Sequence, residues 1–233
     1  MERNLNSSEI QGSLAWHRRR LGHITGSCVA KIIPTGRGKD DIFSQTGYSY
    51  LNKLIGERLL DESVISDDEQ FAQYLQMTNP VTNAMRWGTI NEEEARGIYG
   101  IISGNDVTPC GSIRHPKCSA LYVSPDGFVA NETPGVIEIK CPGVDNYVKY
   151  ATTITDCESF KKVNPDYYWQ VVSEMSVTQT TWCDFILYHP YLVNPMHITR
   201  INLNKDDESL LIERVEQAEN YINIHFNELC KNE

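Results

Sequence analysis

Nowhere does this chain string together the roughly 18 uncharged apolar residues that a membrane-crossing helix needs. No apolar block follows Met1-Glu2-Arg3-Asn4, so a secretory leader has no support and a soluble, cytoplasmic protein without membrane contact is the expectation. The seven cysteines (Cys28, Cys110, Cys118, Cys141, Cys157, Cys183 and Cys230) never form a C-x-x-C pair. Structural zinc and iron–sulfur sites therefore lack local support, and free thiols in a reducing compartment are expected. No H-E-x-x-H occurs among the six histidines. Basic residues are scarce, with 21 Lys and Arg against 31 Asp and Glu and a formal charge of −10. That balance argues against a protein that coats nucleic acid generically, but leaves room for an enzyme that meets it in a locally basic cleft. Gly36-Arg37-Gly38-Lys39 lacks the glycine spacing of a phosphate loop and is followed by Asp40, which excludes an ATP site there.

What the chain does have is ordinary globular composition: 233 residues, 40% hydrophobic and 22% charged. One domain over residues 1–233 follows, with a core over about 13–203 and a C-terminal helix over 206–230. Thr25-Gly26-Ser27 before an apolar run reads as a helix start. Helices are expected over Gly47 to Leu60, over Pro80 to Tyr99 with Gly100 as its stop, and around Tyr168 to Val177. Asp61 to Gln70 reads as an exposed acidic loop. Leu121 to Ser124, Phe128 to Ala130 and Val136 to Lys140 are short apolar runs separated by Pro-Asp-Gly and Thr-Pro-Gly turns, a block of three strands. Two more strands are expected near Cys183 to Tyr188 and Met196 to Leu203. The order is that of a mixed α/β domain: a central sheet, a crossover helix and a closing helix.

The chemistry gathers in the strand block. In Val136-Ile137-Glu138-Ile139-Lys140-Cys141-Pro142, Glu138 and Lys140 share one face of a strand while Ile137 and Ile139 take the other. An isolated E-x-K pair is most often the solvated face of an edge strand. Here Asp126, in Ser124-Pro125-Asp126-Gly127, lies one hairpin upstream, and two carboxylates beside an ammonium make a magnesium site. Glu92 falls on the inward stripe of its helix with Ala95, Ile98 and Tyr99, whereas Glu93 and Arg96 are expected to point elsewhere. Taken alone, Glu92 to Glu94 read as acids favoured near a helix N-terminus.

Glu92, Ser124-Pro-Asp126-Gly, Glu138-x-Lys140-Cys-Pro and Gln170 together resemble the PD-(D/E)XK nucleases. More narrowly, with Trp16-His17-x-x-Arg20-Leu21-Gly22 and Trp87-Gly88-x-x-x-Glu92, the chain resembles the lambda exonuclease group, the YqaJ-like viral recombinases, from about Trp16 to Thr178. The resemblance implies a restriction-endonuclease-like core in which Asp126, Glu138 and the Ile139 carbonyl bind magnesium, with manganese as a substitute, and Glu92 completes the site. Lys140 would orient and polarise the attacking water, and Gln170 would help position it. Arg20, Ser27 and Ser124 match the positions that hold a terminal 5′ phosphate. Ser27 near a helix start and the guanidinium fork of Arg20 agree with anion binding on chemical grounds alone. One departure is that Val107 to Pro125 holds no Asp or Glu, where some members carry a further acid.

The expected function is a magnesium-dependent 5′–3′ exonuclease acting on double-stranded DNA ends for phage-type single-strand annealing recombination, in a bacterial or phage-infected cell. The resemblance further suggests a homotrimeric ring and a partner annealing protein. Two other readings remain at this level: an endonuclease of restriction or repair type, and a non-catalytic acidic module that mimics DNA.

Overall fold

The computed structural model describes residues 9–231, so the polar lead Met1 to Asn4 lies outside the described residues. The chain opens with α1 (Leu14–Arg20), β1 (Ile24–Thr25) and a 3₁₀ helix (Gly26–Ile32). Then come α2 (Gln45–Arg58), α3 (Glu62–Ser66), α4 (Asp68–Thr78) and α5 (Asn83–Ser103). Five strands follow: β2 (Val107–Thr108), β3 (Ile113–Arg114), β4 (Leu121–Val123), β5 (Gly127–Val129) and β6 (Gly135–Lys140). After them run α6 (Val144–Thr153), α7 (Cys157–Val163), α8 (Pro165–Thr178), β7 (Trp182–Tyr188), β8 (Met196–Asn202) and α9 (Lys205–Cys230).

Local chemistry explains most of these boundaries. Ser44 caps α2 by accepting from the Gly47 N–H, Thr82 caps α5 through the Met85 N–H, and Asn164 with Pro165 at the first turn starts α8. The acidic stretch expected as a loop is helical. Asp61 accepts from the Ser63 N–H and Asp67 from the Gln70 N–H, so the acids cap α3 and α4 rather than solvate a loop. The stop of α5 also differs from expectation, because the helix runs through Gly100 and ends at Gly104, whose φ of 67° supplies the left-handed turn. The helix expected after Thr25 is a seven-residue 3₁₀ turn whose cap residue makes no side-chain bond.

The strands divide into two sheets instead of one. A five-stranded sheet has the order β2-β5-β6-β7-β8, and a three-stranded one has the order β1-β4-β3. In the larger sheet β6 and β7 are parallel, with Glu138 opposite Phe185 and Lys140 opposite Leu187, while the other neighbours are antiparallel. A parallel pair needs a crossover, which α6, α7 and α8 provide. Every residue from Tyr168 to Thr178 is buried, so α8 runs through the interior. One face of the large sheet packs Val136, Phe185 and Leu187 into a core shared with α2, α8 and α9. The other face packs Ile137, Ile139 and Ile186 against Ala95 and Tyr99 of α5. Close approach of the 3₁₀ helix to α8 requires Gly26, since a Cβ there would lie 2.9 Å from the Ser173 hydroxyl.

Candidate active site

β6 is an interior strand, flanked by β5 and β7, so Glu138 and Lys140 are not the solvated face of an edge. Their alternation with Ile137 and Ile139 turns them toward α8. Glu138 is 2% exposed, and its Oε1 takes the Lys140 ammonium at 2.5 Å and the Gln170 Nε2 at 2.6 Å. Gln170 also accepts from Lys140 through its Oε1 at 3.2 Å. The ring of Tyr167 lies 4.7 Å from the same ammonium. Burial acts to lower the Lys140 ammonium, but Glu138 and Asp126 together carry it above its usual range, so it is a cation at neutral pH.

Asp126 sits in the turn between β4 and β5, buried, with its Oδ2 held by the Ile139 N–H at 2.6 Å. Burial, then the charges of Glu138 and Glu92, hold its carboxyl well above the ordinary carboxylate range. Glu92 reaches in from α5, and burial raises it too, against the opposing pull of Arg96. Contrary to expectation, Arg96 points into this site. Its Nη2 pairs with Glu92 Oε1 at 2.7 Å and its Nε donates to the Asp126 carbonyl at 2.7 Å. The i,i+4 spacing from Glu92 to Arg96 is the signal that could have found it. A cavity of about 320 Å³ opens onto Glu92, Arg96, Cys110 and Asp126.

A further acid came from no motif. Glu174, one turn beyond Gln170 on α8, is 1% exposed and accepts from the Gln170 Nε2 at 3.0 Å. Burial, followed by the charges of Glu138 and Asp126, pushes its carboxyl well above the usual range. Among the described residues no hydrogen-bond donor reaches the second oxygens of Glu138 and Glu174, although both are buried and the two carboxyl groups lie beside each other.

Arg20 and Ser124 come together beside this cluster. The Ser124 hydroxyl accepts from the Trp16 indole at 2.9 Å and from Arg20 at 3.4 Å, and the guanidinium lies 3.8 Å from the Trp16 ring centroid. Burial lowers the Arg20 guanidinium to about 10, with Tyr50, Cys28 and Glu174 pulling the other way, so it stays charged at neutral pH. Ser27 lies exposed on the first turn of the 3₁₀ helix.

The candidate donors for a metal, Asp126, Glu138, Glu92 and the Ile139 carbonyl, are all oxygen, the kind that magnesium takes. Among the described residues no three Asp, Glu, His or Cys side chains form a closed ligand cage, since each acid leans on a neighbouring amide or cation. The unpartnered Glu138 oxygen, buried amid carboxylates that raise one another, still fits a dication, because positive charge is what such a group needs.

Residues 15–181 match the YqaJ-like viral recombinase domain. The chain belongs to that family. The YqaJ-like chain is similar to an alkaline exonuclease from Laribacter hongkongensis at 27% identity and a TM-score of 0.74, over 94% of this chain and 97% of the other. A structure of that exonuclease in complex with dAMP gives the same figures. A phage-related exonuclease from Haemophilus somnus 129PT, at 15% identity and a TM-score of 0.64 over 89% of this chain and 96% of that one, shares the fold. No curated protein sequence matches the chain. The expected restriction-endonuclease-like α/β core is thus the fold observed. No helix among the described residues is long and apolar enough to cross a membrane.

Proposed function

We propose that this YqaJ-like chain is a magnesium-dependent exonuclease that removes one strand of linear double-stranded DNA from a 5′-phosphorylated end. The 3′-ended strand it leaves would serve single-strand annealing recombination of the phage type. Family membership and likeness to an alkaline exonuclease support a nuclease. The observation that carries the reading is the interior strand on which Glu138 and Lys140 share one buried face, beside Asp126 and with one carboxylate oxygen unpartnered.

Asp126, Glu138, the Ile139 carbonyl and Glu92 would hold the magnesium, and manganese could replace it. When bound, the ion would neutralise phosphate charge and acidify a water. The chain's own residues do the rest. The Lys140 ammonium, fixed between Glu138 and Gln170, offers donors to a water or a phosphate oxygen without moving. Gln170 presents its NH2 to the acids and its carbonyl to the lysine, so both ends of the amide are committed. Arg96 buttresses Glu92 and the backbone of Asp126. Arg20 and Ser124 would take the terminal phosphate, which sets the strand polarity. Phosphate contacts carry no base information, so little sequence preference is expected. A net charge of −10 over the chain suits binding confined to a cleft or to a channel through a trimeric ring, with an annealing protein taking up the product strand.

Incubation with linear 5′-phosphorylated duplex, with and without magnesium, tests the reading. Shortening of the 5′-phosphorylated strand only when metal is present is expected. Cleavage of a covalently closed circle would replace the exonuclease by an endonuclease, and an inert protein that binds no magnesium would replace it by a DNA mimic.

A further inference from the structure

Glu174 belongs to none of the motifs above, yet its environment is hard to explain by packing. It lies in the second half of α8 beside the Glu138 carboxyl, with one oxygen accepting from Gln170 and the other reached by no donor among the described residues. Burying a carboxyl group that is only half satisfied is unfavourable, and an apolar side chain of similar volume would fill the same space without that penalty. What the acid does locally is geometric. An amide side chain can turn end for end, which exchanges its NH2 and its carbonyl. Gln170 Nε2 donates to Glu138 at 2.6 Å and to Glu174 at 3.0 Å, so both N–H bonds face acids. Its carbonyl therefore faces the Lys140 ammonium at 3.2 Å. The reversed amide would set its carbonyl against two carboxyl groups and its NH2 against an ammonium. The helix backbone at this point is pinned as well, since the Ser173 hydroxyl donates to the Gln170 carbonyl and the Thr178 hydroxyl to that of Glu174.

We propose that Glu174 is a positioning residue of the hydrolysis: it fixes the orientation of the Gln170 amide and, through that amide, the ammonium of Lys140. This rests on the nuclease reading above. Glu174 touches neither the DNA nor the reacting atoms. It acts through Gln170.

The test combines activity and stability in four variants, assayed over a range of linear 5′-phosphorylated duplex concentrations up to saturation. Glu174→Met should lower kcat about tenfold or more with KM within about twofold, the scale on which supporting groups act at metal-dependent sites. Its melting temperature should be unchanged or raised, because a buried, half-satisfied acid has gone. Glu174→Gln, whose side-chain carbonyl can still accept from Gln170, should stay within about threefold of the wild-type kcat, because the hydrogen bond that orients the amide is kept. Adding Gln170→Ala to Glu174→Met should produce no loss beyond that of Gln170→Ala alone, since the two act as one unit. Independent, multiplying losses in the double variant would overturn the positioning role. So would a Glu174→Met variant that melts lower and loses kcat only through its folded fraction. A wild-type protein that leaves linear duplex intact in magnesium would remove the nuclease reading and this inference with it, whereas the preceding outcomes remove the inference alone.

Discussion

Two buried carboxylates stand on neighbouring strands of the same sheet and are treated in opposite ways. Asp184 on β7 is 4% exposed and faces α5. It accepts from the Tyr99 hydroxyl at 2.7 Å and from Arg200 through two bonds of 2.8 Å each. The Arg200 guanidinium itself stacks 3.9 Å from the Trp182 ring centroid. Glu138 on β6 faces α8 among other acids, with one oxygen unpartnered. A carboxylate that serves the fold is neutralised and fully bonded. One that is left short of partners beside like charges keeps unspent capacity for something that arrives from outside.

The contrast can be broken by substitution. Asp184→Ala should lower folding stability by about 1–3 kcal/mol, because it leaves the buried Tyr99 hydroxyl without its acceptor, while the half-exposed Arg200 turns to water. Cleavage per folded molecule should stay near wild type, as denaturant titration alongside a nuclease assay would show. Asp126→Asn should do the reverse. An amide keeps an acceptor for the Ile139 N–H while removing a charge that burial disfavours, so melting should not fall. Cleavage should drop by about a hundredfold or more, the scale of losing one electrostatic partner in a transition state. If Asp126→Asn unfolds the protein, or Asp184→Ala silences the folded one, the division into two kinds of acid fails.

Smaller effects sharpen it. Arg20→Ala should remove about 1.5–3 kcal/mol of preference for 5′-phosphorylated over unphosphorylated ends, the worth of a charged hydrogen bond. Competition between the two ends reads this directly, and equal losses on both would take Arg20 out of that pocket. The pH response is gentler. Asp126 and Glu174 hold their protons above the usual carboxylate range, chiefly through burial. Below about pH 4 the unfolded chain is protonated at these groups as well. Above that value the unfolded chain releases its protons first, the native state binds more, and stability falls as pH rises toward the raised native values. In chelator, wild type should therefore lose stability from pH 5 to 7 relative to Asp126→Asn. Taking the difference between the two proteins cancels the histidines they share. An equal slope in both would contradict the shift.

Much of this was legible in one dimension. The alternation through Val136 to Lys140 set Glu138 and Lys140 on one face, and the Tyr168, Val171, Val172 and Met175 stripe found α8. Helix ends were read less well where one residue type carries two meanings. Asp61 and Asp67 looked like solvated acids and are caps, and Gly100 looked like a stop and is an interior residue. Two-residue strands such as β2 and β3 carry no periodicity, so the split into two sheets was invisible. Arg96 and Glu174 each have a partner one turn away on their own helix, Glu92 and Gln170, but what turns them toward the site, Asp126 for the arginine and Glu138 for the acid, lies on other elements.

The burial of α8 has a consequence for how such a protein could be controlled. Gln170 ties the site to a rod that is buried from Tyr168 to Thr178, so that part of it cannot swing, slide or melt without disrupting the core. On the nuclease reading proposed above, control would fall at the doorway rather than the hearth, by admitting or refusing the end of the duplex while the machinery behind stays as it is.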